Sequence, residues 1–107
     1  MIAVLLTDGK ANAFIETLWE HLPTEEGKEN ALEGVTVDVG QLLTAKPGYF
    51  TFTGSLTTPP CREVVTWFVL KSPAQISASQ VAAFAKVFPH NARPVQPLSG
   101  RLVQMTP

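Results

Sequence analysis

Residues 54–61 read GSLTTPPC: two adjacent threonines, a Pro-Pro pair and the only cysteine of the chain. Thr57 and Thr58 offer hydroxyls and backbone N–H groups just ahead of an apolar run. A loop of that kind suits the orientation of a small polar anion or a water molecule against a hydrophobic wall. The plainer alternative is a tight turn whose threonines only satisfy backbone groups, and residue chemistry leaves both open. Cys61 has no partner for a disulfide within the chain, so it is either a free thiol or half of a bridge whose other half lies elsewhere. The two histidines, His21 and His90, are far apart and form no HxH pair. His21 falls on a predicted helix and reads as a partly exposed surface residue. HExxH, CxxC, a Gly-rich phosphate loop and GxSxG are all absent. The residues alone therefore predict no metal ligand set.

The elements that would position the TTPP loop are legible from periodicity. EVVTWFVLK, directly after the loop, is apolar on both faces: Val65, Trp67 and Val69 on one, Val64, Phe68 and Leu70 on the other. Such a strand belongs in the middle of a sheet. YFTFTG, directly before the loop, reads as another strand. MIAVLL is a continuous run with β-branched members and reads as a strand buried on both faces, with an abrupt start for a core element. VTVDV alternates, with Val35, Val37 and Val39 on one side, and reads as a half-buried strand. GQLLTAKPG reads as a short helical turn, and TEEGKENALEG as a solvated loop.

Two helices are predicted. Asn12 is a suitable N-cap for residues 13–22, where Phe14, Leu18 and Leu22 repeat at four-residue spacing until Pro23 stops the helix. Ser77 and Gln80 have the spacing of a capping box for a second helix ending before Pro89, with Val81, Phe84 and Phe88 on one face. Prolines forbid a regular helix in HNARPVQPLSGRLVQMTP.

The bounds agree with one domain, or part of one, of 107 residues. Hydrophobic residues at 45% exclude bulk disorder, and a net charge of -1 gives no footprint for nucleic acid or anionic membranes. The longest apolar opening is far short of the roughly 20 residues of a membrane span, and it lacks the flanks of a signal peptide.

FTGSLTTPPCREVVTWFVLKSP, followed by HNARPVQPLSGR, resembles the C-terminal part of an α-class carbonic anhydrase of the bacterial branch. The similarity runs in register from MIAVLLTDGKAN to the end. SLTTPP with a tryptophan seven residues beyond the second proline, and NxRPxQPL further on, are specific together. The stretch amounts to less than half of that family's domain.

The resemblance implies a mainly β (α+β) fold: part of a large, twisted, mostly antiparallel sheet with two packed helices, residues 1–107 forming the C-terminal part of a single domain. It implies reversible hydration of carbon dioxide to bicarbonate at zinc. In that family Thr57 orients the zinc-bound hydroxide and turns its N–H to the anion, bicarbonate or an inhibitory sulfonamide. Thr58 contacts bicarbonate or pocket water. Leu56, Val65 and Trp67 form the apolar wall for carbon dioxide, and the Pro59–Pro60 bond is cis. The backbone carbonyl of Asn91 orients a zinc histidine from behind, and Arg93 anchors its loop by hydrogen bonds. Cys61 pairs with a cysteine near the family's N-terminus. The zinc histidines and that cysteine would precede Met1, so no metal ligand is expected within this chain and the isolated chain is expected to be inactive. The implied setting is periplasmic or secreted, and the implied partners are the missing N-terminal segment or further copies of the chain. A non-catalytic remnant acting as a binding module, and an unrelated small β-rich domain, are the competing possibilities.

Overall fold

The computed structural model describes residues 1–24, 27, 29, 34, 36–43 and 48–107. Among these residues six strands, β1 (Ile2–Ala3), β2 (Leu6–Asp8), β3 (Tyr49–Gly54), β4 (Val65–Leu70), β5 (Ala74–Ile76) and β6 (Gln104–Met105), accompany two α-helices, α1 (Ala13–Glu20) and α2 (Ala78–Val87). They fall into two compact units: Met1–Leu5 with Thr44–Pro73 and Ala92–Pro107, and Leu6–Leu43 with Ala74–Asn91.

The first unit is a four-stranded mixed sheet in the order β1-β4-β3-β6. The apolar run of β4 takes the interior position its composition calls for. β3 and β4 pair antiparallel, with Phe52 opposite Trp67 and Gly54 opposite Val65. Because side chains alternate, Phe50, Phe52 and Gly54 share a face with Val69, Trp67 and Val65, while Tyr49 and Phe68 meet edge to face at 5.1 Å on the other. β1 runs parallel to β4, and the N-terminal ammonium donates to the Thr66 carbonyl at 2.8 Å. On the other flank, β6 pairs antiparallel with β3, and the Lys71 ammonium donates to the Thr106 carbonyl.

The second unit joins the parallel β2–β5 ladder to both helices. Phe14 and Ile15 from α1 and Ile76 from β5 form its buried core, with Leu18, Trp19 and Leu42 packed against them. Asn12 caps α1 by accepting from the Phe14 and Ile15 amides, and Ser77 and Gln80 complete the capping box of α2. Gln80 also ties the helix starts together. Its Oε1 accepts from the Asn12 N–H at 2.9 Å, and its Nε2 donates to the Asn12 carbonyl and to Glu16. Trp19 stacks on Phe84 and donates from Nε1 to the Gln80 carbonyl.

Three expectations need correction. MIAVLL is not one buried strand: it divides into β1 and the start of β2, which belong to different sheets, and Ile2 is 60% exposed. VTVDV is not a strand over its described part. Asp38 accepts from the Gly40 N–H at 2.9 Å and caps a 3-10 turn over Val39–Leu42, a local bond that competes with strand pairing. Val64 lies outside β4 and is 74% exposed. Most of the expected solvated loop, Val35 and residues 44–47 lie outside the described residues. β6 was not anticipated at all.

Candidate functional site

The TTPP loop is the connection between β3 and β4, and hydrogen bonds hold it at both ends. At its start, the Leu56 N–H donates to the Arg62 carbonyl at 3.0 Å, and the Ser55 carbonyl accepts from Trp67 Nε1 at 3.1 Å. At its far end, the Cys61 N–H donates to the Thr58 carbonyl at 2.9 Å. The Pro59–Pro60 bond is cis, which makes residues 58–61 a type VI turn, and Cys61 follows with φ 55°. Thr57 sits between these two fastenings, exposed.

Thr57 opens onto a cleft of about 520 Å³ on the Trp67 face of the sheet. Phe52, Gly54, Cys61, Glu63, Trp67, Arg93, the segment Gln96–Ser99 and Arg101 line it with Thr57. Of the residues the sequence singled out, the structure brings Thr57, Cys61, Trp67 and Arg93 together here. Thr58 contributes only its turn carbonyl among these groups. Leu56, 38% exposed, and Val65, buried at the start of β4, do not line the cleft, so Trp67 alone supplies the expected wall. Asn91 belongs to the second unit.

Arg101 anchors the loop it belongs to. Ser99 and Gly100, with φ of 51° and 78°, turn the chain back, so that Arg101 donates to the carbonyls of Pro97 and Leu98 and lies 5.9 Å over the Phe52 ring. A guanidinium with several donors in a fixed fork can serve both carbonyls at once. Arg93 itself is exposed at the cleft. Sequence reasoning missed Arg101, Phe52 and Gly54. The signal for Gly54 was available: a glycine closing an alternating aromatic strand marks a close approach.

Zinc in a catalytic site takes three protein donors and leaves a position open. Among the described residues no three His, Cys, Asp or Glu side chains gather where they could hold a metal ion. The lining of the cleft includes one thiol, one carboxylate and two guanidiniums. His21 and His90 both lie in the second unit. These residues by themselves do not fit zinc. No helix among the described residues is long and apolar enough to cross a membrane.

The sequence model of the eukaryotic-type carbonic anhydrases matches residues 1–107. The chain belongs to the carbonic anhydrase family. Its similarity to the carbonic anhydrase of Nostoc sp. is 42% identity, over 96% of this chain and 39% of that protein. To the Klebsiella pneumoniae carbonic anhydrase it is also 42% identical, over 96% of this chain and 42% of the relative. The chain thus spans about two fifths of the length of the curated carbonic anhydrases it matches. Its fold is that of α-carbonic anhydrases. The Thermovibrio ammonificans enzyme, solved in complex with the inhibitor sulfanilamide, superimposes with a TM-score of 0.87 at 40% identity, over 95% of this chain and 45% of that one.

Proposed function

We propose that these 107 residues are the C-terminal part of a single α-carbonic anhydrase domain that interconverts carbon dioxide and bicarbonate plus a proton. The observation that carries the proposal is the placement of Thr57: held between two fastened turns, exposed, and beside the Trp67 ring in one cleft. Bicarbonate is an anion that accepts hydrogen bonds, and a fixed N–H aimed at it stabilises charge without reorganisation. Carbon dioxide is non-polar and prefers an apolar surface, which Trp67 offers in this unit. We assign Thr57 to anion orientation through its hydroxyl and N–H, Thr58 to bicarbonate or water, and Trp67 to the apolar lining, which Leu56 and Val65, off the cleft in this chain, would extend only where an outside segment completes the pocket. The Asn91 carbonyl would orient a zinc histidine supplied from outside these residues, and Arg93 would anchor its own loop by hydrogen bonds. Sulfonamide-type inhibitors would occupy the same anion position.

Three further parts belong to the proposal. The zinc of the family's chemistry would be held by histidines outside these 107 residues, since the donors among the described residues do not fit it. Cys61 would pair with a cysteine from the same outside segment, which implies a periplasmic or secreted setting where disulfides persist. That segment, or a further copy of the chain, would be its protein partner.

The test is metal analysis with a carbon dioxide hydration assay, on the chain alone and on the chain mixed with a polypeptide carrying three histidines from a bacterial relative. The chain alone should bind zinc weakly and below one equivalent, without turnover. The mixture should gain one equivalent and activity. Tight one-to-one zinc with turnover in the chain alone would overturn the proposal. A non-catalytic binding module is the second possibility, and Arg93 and Arg101 favour it, because two guanidiniums lining one cleft can hold an organic anion without any reaction. A mixture that associates but neither holds zinc nor hydrates carbon dioxide would point to that role.

A further inference from the structure

We infer that Trp67 is a positioning residue for Thr57, acting through its indole N–H, and that Gly54 is the residue that admits it. The inference rests on the carbonic anhydrase proposal for its catalytic meaning, but its geometry stands independently. Both polar groups of the Ser55–Leu56 peptide are taken. Its carbonyl accepts from Trp67 Nε1 at 3.1 Å, and its N–H donates to the Arg62 carbonyl at 3.0 Å. A peptide plane bonded on both sides cannot swing. Only the Leu56 torsions separate it from the Thr57 N–H, so the indole on one side and Arg62 on the other limit how far that N–H can turn. The Thr58–Cys61 bond then fixes the chain just beyond Thr57.

The indole reaches Ser55 by lying across Gly54. A Cβ at that position would stand 2.9 Å from Trp67 Cδ1, 3.1 Å from Nε1 and 3.0 Å from Phe52 Cε2. Those are ring atoms on two packed strands, not the loose end of a flexible chain, so any side chain at Gly54 must push the indole away from Ser55. The pair therefore offers two separate ways to break one hydrogen bond. Trp67→Phe keeps an aromatic ring and removes the N–H. Gly54→Ala keeps the N–H and displaces it.

The experiment has two arms. In the 107-residue chain, amide hydrogen exchange is followed by NMR at Leu56, with the β3–β4 ladder amides as the control for an intact sheet. Both variants should speed exchange at Leu56 about tenfold or more while the ladder stays protected. Unchanged Leu56 exchange in both variants overturns the inference. If Trp67→Phe alone fails to keep the ladder, Gly54→Ala decides.

In the second arm, each variant is assembled with the histidine-bearing polypeptide. Both should lower kcat about tenfold, less than the ~10²–10³ for removing a group that touches the anion directly, with zinc content unchanged. A residue serving only as apolar wall would instead raise KM and leave kcat alone, and that result overturns the positioning role. If wild-type assembly shows no hydration while Leu56 responds as expected, the hydrogen-bonded clamp stands and the functional proposal falls.

Discussion

Thr57 is the residue on which the proposed chemistry turns, and its two neighbours in space make its role testable. In the enzyme assembled with zinc, Thr57→Ala should retain the metal and lose turnover by about 10²–10³, the usual cost of one positioned hydrogen bond in a site shielded from water. Metal analysis beside steady-state hydration kinetics checks it, and unchanged turnover with zinc bound would refute the role. Much of this site was legible in GSLTTPPC, because hydroxyl residues and prolines carry their chemistry in their types. The cis Pro59–Pro60 bond was expected from the family resemblance and is present. What was not legible was which side chains close in around Thr57. Arg101 faces the cleft because a turn at Ser99–Gly100 brings it back, and Leu56 and Val65 stay off the cleft although they adjoin its other residues in sequence. Such arrangements depend on how a loop folds over a sheet, which residue types do not encode.

At the scale of elements, the helices and the central hairpin followed their patterns, and the failures were all strands. A helix satisfies its backbone internally, so Asn12 and the Ser77–Gln80 box announce it locally. A strand needs a partner. MIAVLL divides between β4 and β5, both more than half the chain away, and VTVDV yields to an Asp38 cap. Gln80 shows how much one polar residue can hold. It is 4% exposed and bonds Asn12, Ser77 and Glu16 at once. Gln80→Leu would fill the space but strand the Asn12 backbone groups. It should destabilise the chain by about 1–3 kcal/mol for each group left unpaired and buried. Asn12→Ala, which removes the cap and an exposed Nδ2 bond to the Gln75 carbonyl, should cost about 1 kcal/mol. Urea midpoints measured side by side test the order, and a Gln80→Leu variant no weaker than Asn12→Ala would contradict it.

The molecule as a whole carries apolar surface that a lone chain leaves in water. Val95 is 99% exposed, Leu102 73% and Met105 66%, and among the described residues the outer edges of β1 and β6 are unpaired. Unpaired edges beside apolar side chains promote association. Light scattering on the purified chain should show oligomers that the histidine-bearing polypeptide disperses into one-to-one complexes; a monomer at all concentrations would count against a partner-seeking surface. The parallel pairing of β1 with β4 has a different consequence, in time. The hairpin of β3 and β4 closes over residues 55–64, whereas Met1 meets Thr66 across 65 residues. Closing the longer loop costs about 1.7 kcal/mol more in chain entropy. The hairpin should therefore form early and β1 should join after the rate-limiting step. In dilute stopped-flow refolding, Ile2→Ala should leave the folding rate nearly unchanged and speed unfolding, while Phe52→Leu should slow folding. The first residues of the chain would then govern how long the sheet survives once made, and hardly at all how fast it is made.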